Sequence, residues 1–457
     1  MKDKAIIWGT GSSAKRVYYK LKDIYEIKGF ADSDSKKWDT EFMGRPVFSF
    51  DKLKYEKEEY IIVIASVYYS EILKAIKELG LNVPVLRSSK SGLLLPLENA
   101  NSIQKKRRLR RILYVQPMEC IRTYKIAKVM KAAGVQVDMA YLYESPEVDI
   151  KGDIFYDHLI SINSLQGFVD YVNTEDYDIV HCSNWPDTLS NLMIFNTNKK
   201  VVHDTHDLYS QWREFTIDEM VLEYNANRHA DGLCYVTGEV KNIARQKYNI
   251  QGKPILVLDN YISEKVLPAK YISKLSNMNN EIHCVYEGGV WADKNTHRYL
   301  EEIFLEIAAE NIHVHFYSKG DEEYFRSIEQ KSPYIHYEGY LQQNLLIEEM
   351  TKYDVGLLYL NITEENRDFL STAAPNKIYE YVCAGLPVAV CGIESLVKKV
   401  NDLSIGRELH ADGNIKGQLE SIKNIKVEKD FLVKKGLTME AQFERIISFY
   451  EEVLNRV

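Results

Sequence analysis

Three successive runs of short apolar strands alternating with helices predict an α/β chain of three Rossmann-like parallel-sheet domains. Strands that alternate with helices build a parallel sheet covered on both faces. Two bulk observations agree. The chain has 457 residues, room for several domains of about 100–200 residues each. Hydrophobic residues make up 45% and charged residues 27%, the balance of a globular protein with real cores.

The first run spans residues 1–95. Ala5–Trp8 reads as a buried strand, Gly9-Thr10-Gly11-Ser12-Ser13-Ala14 as the turn after it, and Lys15–Lys22 as a helix. Strands Ile27–Ala31 and Tyr60–Ala65 and a helix over Tyr69–Leu79 follow. Gly9, Gly11 and Ser12 sit between strand and helix, and Asp32 ends the next strand, which is the context of a dinucleotide fingerprint. The run is therefore a candidate nucleotide site, and NAD is one ligand it leaves open.

The pattern breaks over residues 96–111, a linker that holds the basic run Lys105-Lys106-Arg107-Arg108-Leu109-Arg110-Arg111. A charge run is first a solvated segment, and it is also the part of the chain suited to an anionic lipid surface. The second run, 112–270, has strands at Ile112–Val115, Val135–Tyr141, Ile179–Cys182, Lys200–His203, Gly232–Val236 and Ile255–Leu258. The third, 271–438, has strands at Ile282–Tyr286, Val314–Tyr317, Tyr334–Tyr337, Val355–Tyr359 and Pro387–Val390. Its helix over Thr296–Ala309 carries an apolar stripe at Leu300, Ile303, Phe304 and Ile307. A last helix, Met439–Leu454, occupies the segment 439–457.

Composition excludes some functions. A net charge of −8 does not suit general nucleic-acid binding, which needs an excess of Lys and Arg. The six cysteines form no C-x-x-C pair and no Cys/His ligand cluster, so no metal site or disulfide framework is expected. No signal peptide and no apolar stretch of the roughly 20 residues that span a bilayer are seen. A cytoplasmic protein is expected, with peripheral contact at the inner face of the cell membrane left open. The 32 tyrosines are assigned to composition rather than to carbohydrate stacking.

The most informative stretch is Ser371-Thr372-Ala373-Ala374-Pro375-Asn376-Lys377-Ile378-Tyr379-Glu380-Tyr381-Val382-Cys383-Ala384-Gly385-Leu386-Pro387-Val388. A polar loop leads into Pro375 near the first helical position, and the short helix ends at Gly385. Free N–H groups at a helix start suit a diphosphate. Lys377 and Glu380, three apart, share a face, and a carboxylate there can accept both hydroxyls of a ribose.

From Pro375 to Val388 this stretch resembles the donor loop of glycosyltransferase family four and its relatives, P-x-K-x-x-E-Y-x-A-x-G-x-P-V, with Cys383 where a small residue is usual. These are retaining GT-B enzymes, and the resemblance covers about Ile112–Val457. It implies that Glu380 binds the nucleotide ribose. It places Gly288 and Gly289 in the first turn of a donor domain, with Lys294 matching a diphosphate-clamping lysine. Arg367 and Lys377 are further cations near the loop. Two positions depart from the family: Thr372 stands where many members carry a donor-sugar Glu, and Gly289 where they carry an Arg. His206 and Asp207 match a His-Asp pair at the acceptor edge of the cleft, whereas His203 reads as core. Leu258-Asp259-Asn260-Tyr261 resembles the exit from the acceptor domain, Tyr337-Glu338-Gly339-Tyr340 the base-holding loop, and Met439–Leu454 the helix that crosses back. The first run is similar to small Rossmann domains attached to sugar-modifying enzymes, among them sugar acyltransferases, where they bind nucleotide sugars or dock partners.

The resemblance implies a glycosyltransferase that moves a sugar from a UDP- or GDP-sugar to a saccharide, lipid-linked or protein acceptor. It implies retention of stereochemistry, no metal requirement, and a place in bacterial surface polysaccharide or glycoconjugate assembly. Two other readings stand beside it: a bifunctional protein with redox or epimerase chemistry in the first domain, and a non-catalytic sugar-nucleotide-binding scaffold.

Overall fold

The structure, a computed structural model, describes residues 2–55, 59–66, 68–81, 83–88, 94–96, 109–116, 120–142, 155–184, 187–211, 215–411 and 413–455. The basic residues 105–108 and the loop residues 89–92 lie outside these. The chain divides into two compact units, Met1–Arg108 and Leu109–Val457.

The first unit holds one sheet made of β1 (Lys4–Trp8), β2 (Glu26–Ala31), β3 (Glu41–Phe42), β4 (Arg45–Phe48), β5 (Ile61–Ile64), β6 (Val85–Ser88) and β7 (Leu94–Pro96). Their order is β3-β4-β2-β1-β5-β6-β7. The short edge pairs β3/β4 and β6/β7 are antiparallel, and the other described pairs are parallel. The sheet is apolar on both faces: Ile7, Phe30 and Val63 pack on one side, and Ile6, Trp8 and Ile62 on the other.

The second unit holds two parallel sheets. One comprises β8 (Arg111–Gln116), β9 (Gln136–Tyr141), β10 (His158–Ser161), β11 (Ile179–Ser183), β12 (Lys200–Thr205), β13 (Gly232–Tyr235) and β14 (Ile255–Val257), ordered β10-β9-β8-β11-β12-β13-β14. The other comprises β15 (His283–Glu287), β16 (His313–Tyr317), β17 (Ile335–Tyr337), β18 (Val355–Leu358), β19 (Val388–Val390) and β20 (Gly406–Glu408), ordered β17-β16-β15-β18-β19-β20. In both, strand order reverses beside the first strand, between β8 and β11 and between β15 and β18. Ligands of open α/β sheets bind beyond the carboxyl ends of strands at such a switch point.

Apolar strand interiors explain why both sheets form. β8 and β11 present unbroken buried runs, as parallel strands covered on both faces do. The final helix, Phe443–Asn455, lies on the sheet begun by β8 rather than on its sequence neighbour. A Cβ placed on Gly232 of β13 would stand 2.4 Å from Val453 Cγ2 and 3.1 Å from Phe449 Cζ, so only glycine admits the helix there. Tyr450 carries the same contact to β11 through its hydroxyl, 2.9 Å from His181 Nδ1.

Two helices start later than the apolar pattern suggests. The predicted helix over 296–309 begins at Glu301. Asp293 accepts the Asn295 N–H at 2.9 Å and its carbonyl accepts the Thr296 hydroxyl at 2.9 Å, so local side-chain bonds replace the first helical turn. The last helix is preceded by a 3₁₀ turn, Glu440–Gln442. Pro375 likewise stands outside its helix, which spans Lys377–Cys383 with Asn376 as the flanking residue.

Candidate functional site

β15 ends in buried Glu287, and Gly288 follows with φ +115°. A Cβ there would lie 2.5 Å from Lys377 Nζ, 2.8 Å from its Cε and 3.6 Å from Arg298 Nη1. Gly288 is therefore glycine for two reasons, a backbone angle side chains avoid and a lysine laid across it. Lys377 reaches over from its helix and also covers the Tyr286 ring at 5.4 Å. Arg298 arrives from the turn that displaces the helix start, donating to the Tyr286 hydroxyl at 3.3 Å. Trp291 N–H donates to the Arg298 carbonyl at 2.9 Å, which folds that turn back. Two cations thus stand over one glycine turn at the carboxyl end of β15.

Glu380 lies one helical turn beyond Lys377, buried, with its carboxylate accepting from the Gln343 amide. Glu287 packs against it. Burial, then the Glu380 charge, push the Glu287 carboxyl well above the ordinary carboxylate range, so it keeps its proton beside Glu380. Tyr381 fixes the floor: its hydroxyl donates to the Leu357 carbonyl at 2.9 Å and accepts the Glu287 N–H at 3.2 Å.

The facing edge comes from the sheet of β8. Helix Ile121–Ala132 follows β8 and projects Arg122 and Lys125. Lys125 Nζ is 3.4 Å from Asn376 Oδ1. Burial lowers its ammonium to about 8 against the opposing pull of Glu380. Asn260 donates to the Ala374 carbonyl at 2.7 Å, and Lys399 pairs with Asp259. These three contacts join the two sheets' loops around the Pro375 segment.

Arg122 grips Asp204 at the end of β12 through Nε at 2.9 Å and Nη2 at 3.1 Å, and donates to the Leu258 carbonyl at 2.6 Å. Asp204 is fully buried. Burial alone would raise its carboxyl, but the Arg122 charge and bonds from His181 and His206 hold it well below the usual range. His206 Nε2, itself buried, stands 3.4 Å from Asp204 Oδ2, while the side chain as a whole is 24% exposed, so a buried carboxylate orients a ring whose other edge reaches solvent. The His206 N–H donates to Asn184 Oδ1 at 2.8 Å, and Asn184 donates back to the Asp207 carbonyl. Burial raises the Asp207 carboxyl, opposed by His206. His203 is fully buried on Ser190 at 2.8 Å, a core residue as its strand position predicts.

Gly288, Asn376, Lys377 and Glu380 are thus brought together on one side, and His206 and Asp207 follow β12 on the other. Lys294 is not brought to them: its ammonium is 72% exposed and sits on Glu302 at 3.2 Å. The turn that carries it points it outward and delivers Arg298 instead. Gly289 lies beside Gly288, where an added Cβ would meet Trp291 Nε1 at 3.4 Å and its carbonyl accepts from the Tyr286 hydroxyl. Thr372 is buried, with its hydroxyl turned back onto the Phe369 carbonyl at 2.8 Å. Pro375 lies between the Ala374 and Asn376 contacts. Sequence reasoning missed Arg298, Lys125, Arg122 and Glu287. A signal existed for Arg122 and Lys125, since the helix after the first strand of each sheet is where the switch point falls.

In the first unit, Gly9 (φ +123°), Gly11, Ser12 and Asp32 line a cavity of about 480 Å³ with Trp8, Thr10 and Ser66. Asp32 is already engaged: Thr10 donates to it at 2.5 Å, the Asp34 N–H at 2.9 Å and Lys37 at 3.0 Å. Burial works against these bonds, yet together they hold its carboxyl below the ordinary value.

Residues 121–265 match the family described as Glycosyltransferase Family 4, and residues 1–84 match the one described as C2185-like, N-terminal. Among solved structures, a glycosyltransferase from Rickettsia africae ESF-5 is similar at 14% identity, covering 76% of this chain and 99% of that one, with a TM-score of 0.58. The Anabaena protein Alr3699/HepE in complex with UDP and glucose is similar at 11% identity, covering 74% and 98%, with a TM-score of 0.56. AviGT4, a glycosyltransferase involved in avilamycin A biosynthesis, is similar at 12% identity, covering 76% and 99%, with a TM-score of 0.51. No curated protein matches in sequence. The fold is GT-B. Within that fold, the stretch 121–265 is similar to glycosyltransferase family 4. No helix among the described residues is long and apolar enough to cross a membrane.

Proposed function

We propose that the chain transfers a sugar from a nucleotide-sugar donor, with the diphosphate over Gly288 between Lys377 and Arg298 and the ribose on Glu380. The observation that carries this reading is the pair of cations laid over one glycine turn, one helical turn from a buried carboxylate. The charge that develops on a departing diphosphate is stabilised by fixed cations already in place. Lys377 and Arg298 supply that charge, which supports a donor site working without a metal. The solved Anabaena structure holds UDP, which favours a uridine nucleotide over a guanosine one.

The acceptor binds near His206, the ring that Asp204 orients, and its neighbour Asp207. His206, a ring able to donate or accept, positions an acceptor hydroxyl or the partly positive sugar. Retention follows from the family resemblance, with the leaving phosphate taking the acceptor proton. Residues 112–270 and 271–438 are the acceptor and donor lobes, 439–457 ties them, and 1–95 is a separate nucleotide-sugar or docking module. The setting is cytoplasmic assembly of a bacterial surface polysaccharide or glycoconjugate.

A panel of UDP- and GDP-sugars, each assayed for donor hydrolysis and for transfer to simple saccharide acceptors, tests the reading. One donor class turned over by the intact protein and not by Glu380→Ala supports it. Donor binding with neither hydrolysis nor transfer overturns it in favour of a non-catalytic scaffold.

A further inference from the structure

Four histidines crowd one face of the sheet begun by β15, at the opposite end of that strand from Glu287. His283 opens β15, His313 and His315 lie on β16, and His336 lies on β17. The register pairs His283 with His313 and His315 with His336. Side chains alternate along a strand, so all four rings share a face. They overlap closely, with centroids 4.3 Å apart for His283 and His313 and 4.4 Å apart for His315 and His336.

Their nitrogens point at one another. His283 Nδ1 is 2.9 Å from His315 Nε2, and His313 Nδ1 is 2.8 Å from His336 Nε2. Two carboxylates set the tautomers. Glu338 accepts from His315 Nδ1 at 2.7 Å, and Glu281 accepts from His313 Nε2 at 2.8 Å. A neutral imidazole donates from one nitrogen and accepts at the other, so the lone pairs of His315 Nε2 and His313 Nδ1 face into the cluster, where they accept from His283 Nδ1 and His336 Nε2 until a metal ion displaces those protons. A ring that gives its outer N–H to a carboxylate and turns its other nitrogen inward is the arrangement of a metal-ligating histidine. One nitrogen from each of His283, His313 and His315 lies within 4.8 Å of the other two. Zinc–nitrogen bonds of about 2.0–2.1 Å in a tetrahedron put nitrogens about 3.4 Å apart, so the His283 and His313 rings, stacked 4° from parallel, turn out of their stack to share an ion.

We propose that this cluster is a binding site for one divalent transition-metal ion of the zinc class, ligated by His283, His313 and His315 and oriented by Glu281 and Glu338. Imidazole donors select Zn²⁺, Co²⁺, Ni²⁺ or Cu²⁺ over Mg²⁺ and Ca²⁺, which take oxygen ligands. His283 lies a strand's length, about 13 Å, from Glu287, whereas Glu338 stands in the Tyr337–Tyr340 loop that the resemblance gives to the base, so metal binding rather than transfer is the readout. The competing account is four neutral rings that only pack and hydrogen-bond.

Untagged full-length protein, stripped with chelator and titrated with Co²⁺, separates the two accounts. The expected result is one equivalent bound with the visible absorption of tetrahedral cobalt, displaced by one equivalent of Zn²⁺ and not by Mg²⁺. His315→Gln abolishes the signal. Glu338→Gln, a partly exposed position that leaves all ligands in place, weakens binding by about 10–100-fold and carries the test if the histidine variant does not fold. Absence of Co²⁺ binding by the intact protein, or binding unchanged in Glu338→Gln, overturns the proposal.

Discussion

Glu287 keeps a proton against Glu380, two buried carboxyl groups placed side by side at the floor of the glycine turn. One comes from the last residue of β15 and the other from the helix that carries Lys377. Two charges there would face each other in low dielectric, so the pair holds one.

This arrangement makes stability fall with pH. A carboxyl whose folded value is raised contributes fully below the ordinary carboxylate range and loses that contribution as pH rises through the raised value. Glu287→Gln mimics the protonated acid and removes the dependence, so the variant gains about 1.4 kcal/mol over wild type per pH unit crossed within that window. Thermal melts at pH 5 and pH 8 check this: near-equal midpoints at pH 5 and a higher one for the variant at pH 8 are expected.

The cations divide sharply. Lys377→Ala and Arg298→Ala each remove a charge over the Gly288 turn and weaken donor binding by about 10–100-fold, the worth of a charge-assisted bond of about 1.5–3 kcal/mol. Lys294→Ala removes a surface pair worth little and leaves donor affinity within about twofold. Calorimetric titration of the three variants with one nucleotide sugar reads the difference.

Gly288→Ala fails in both ways the position is constrained. Its φ of +115° is strained for any side chain, and the new methyl displaces Lys377. Stability falls by more than about 1 kcal/mol and donor affinity falls as in Lys377→Ala. Chemical denaturation and titration of the same sample measure the two losses.

Arg122 and Asp204 are a buried pair, and breaking it from one side leaves an uncompensated charge. Arg122→Ala costs about 3–5 kcal/mol and releases His206, so transfer falls further than donor binding does. Unfolding curves and a comparison of kcat with donor affinity test this.

Most of the architecture was legible because parallel strands buried on both faces print continuous apolar runs, as at Ile112–Val115 and Cys284–Tyr286. Short edge strands such as Glu41–Phe42 carry too little apolar pattern to be read. The donor loop was legible because Pro375, Lys377, Glu380 and Gly385 each do something local that spacing reveals. Arg298 was not, since a backbone turn built on Asp293 decides which cation faces Gly288, and spacing from the glycine pointed to Lys294. Glu287 looked like the end of a strand, and only its packing against Glu380 gives it a role. The cysteine spacings hold no ligand pattern, whereas His313-Val314-His315 has a period of two that puts both rings on one sheet face beside His283 and His336.

The central claim is that a nucleotide diphosphate binds at Gly288, Lys377 and Glu380 rather than in the cavity of the first unit. Calorimetric titration of UDP into the intact protein, Glu380→Gln and Gly11→Asp tests it most directly. The account predicts one site in the intact protein, lost in Glu380→Gln and unchanged in Gly11→Asp. Binding that survives Glu380→Gln and disappears in Gly11→Asp would contradict it.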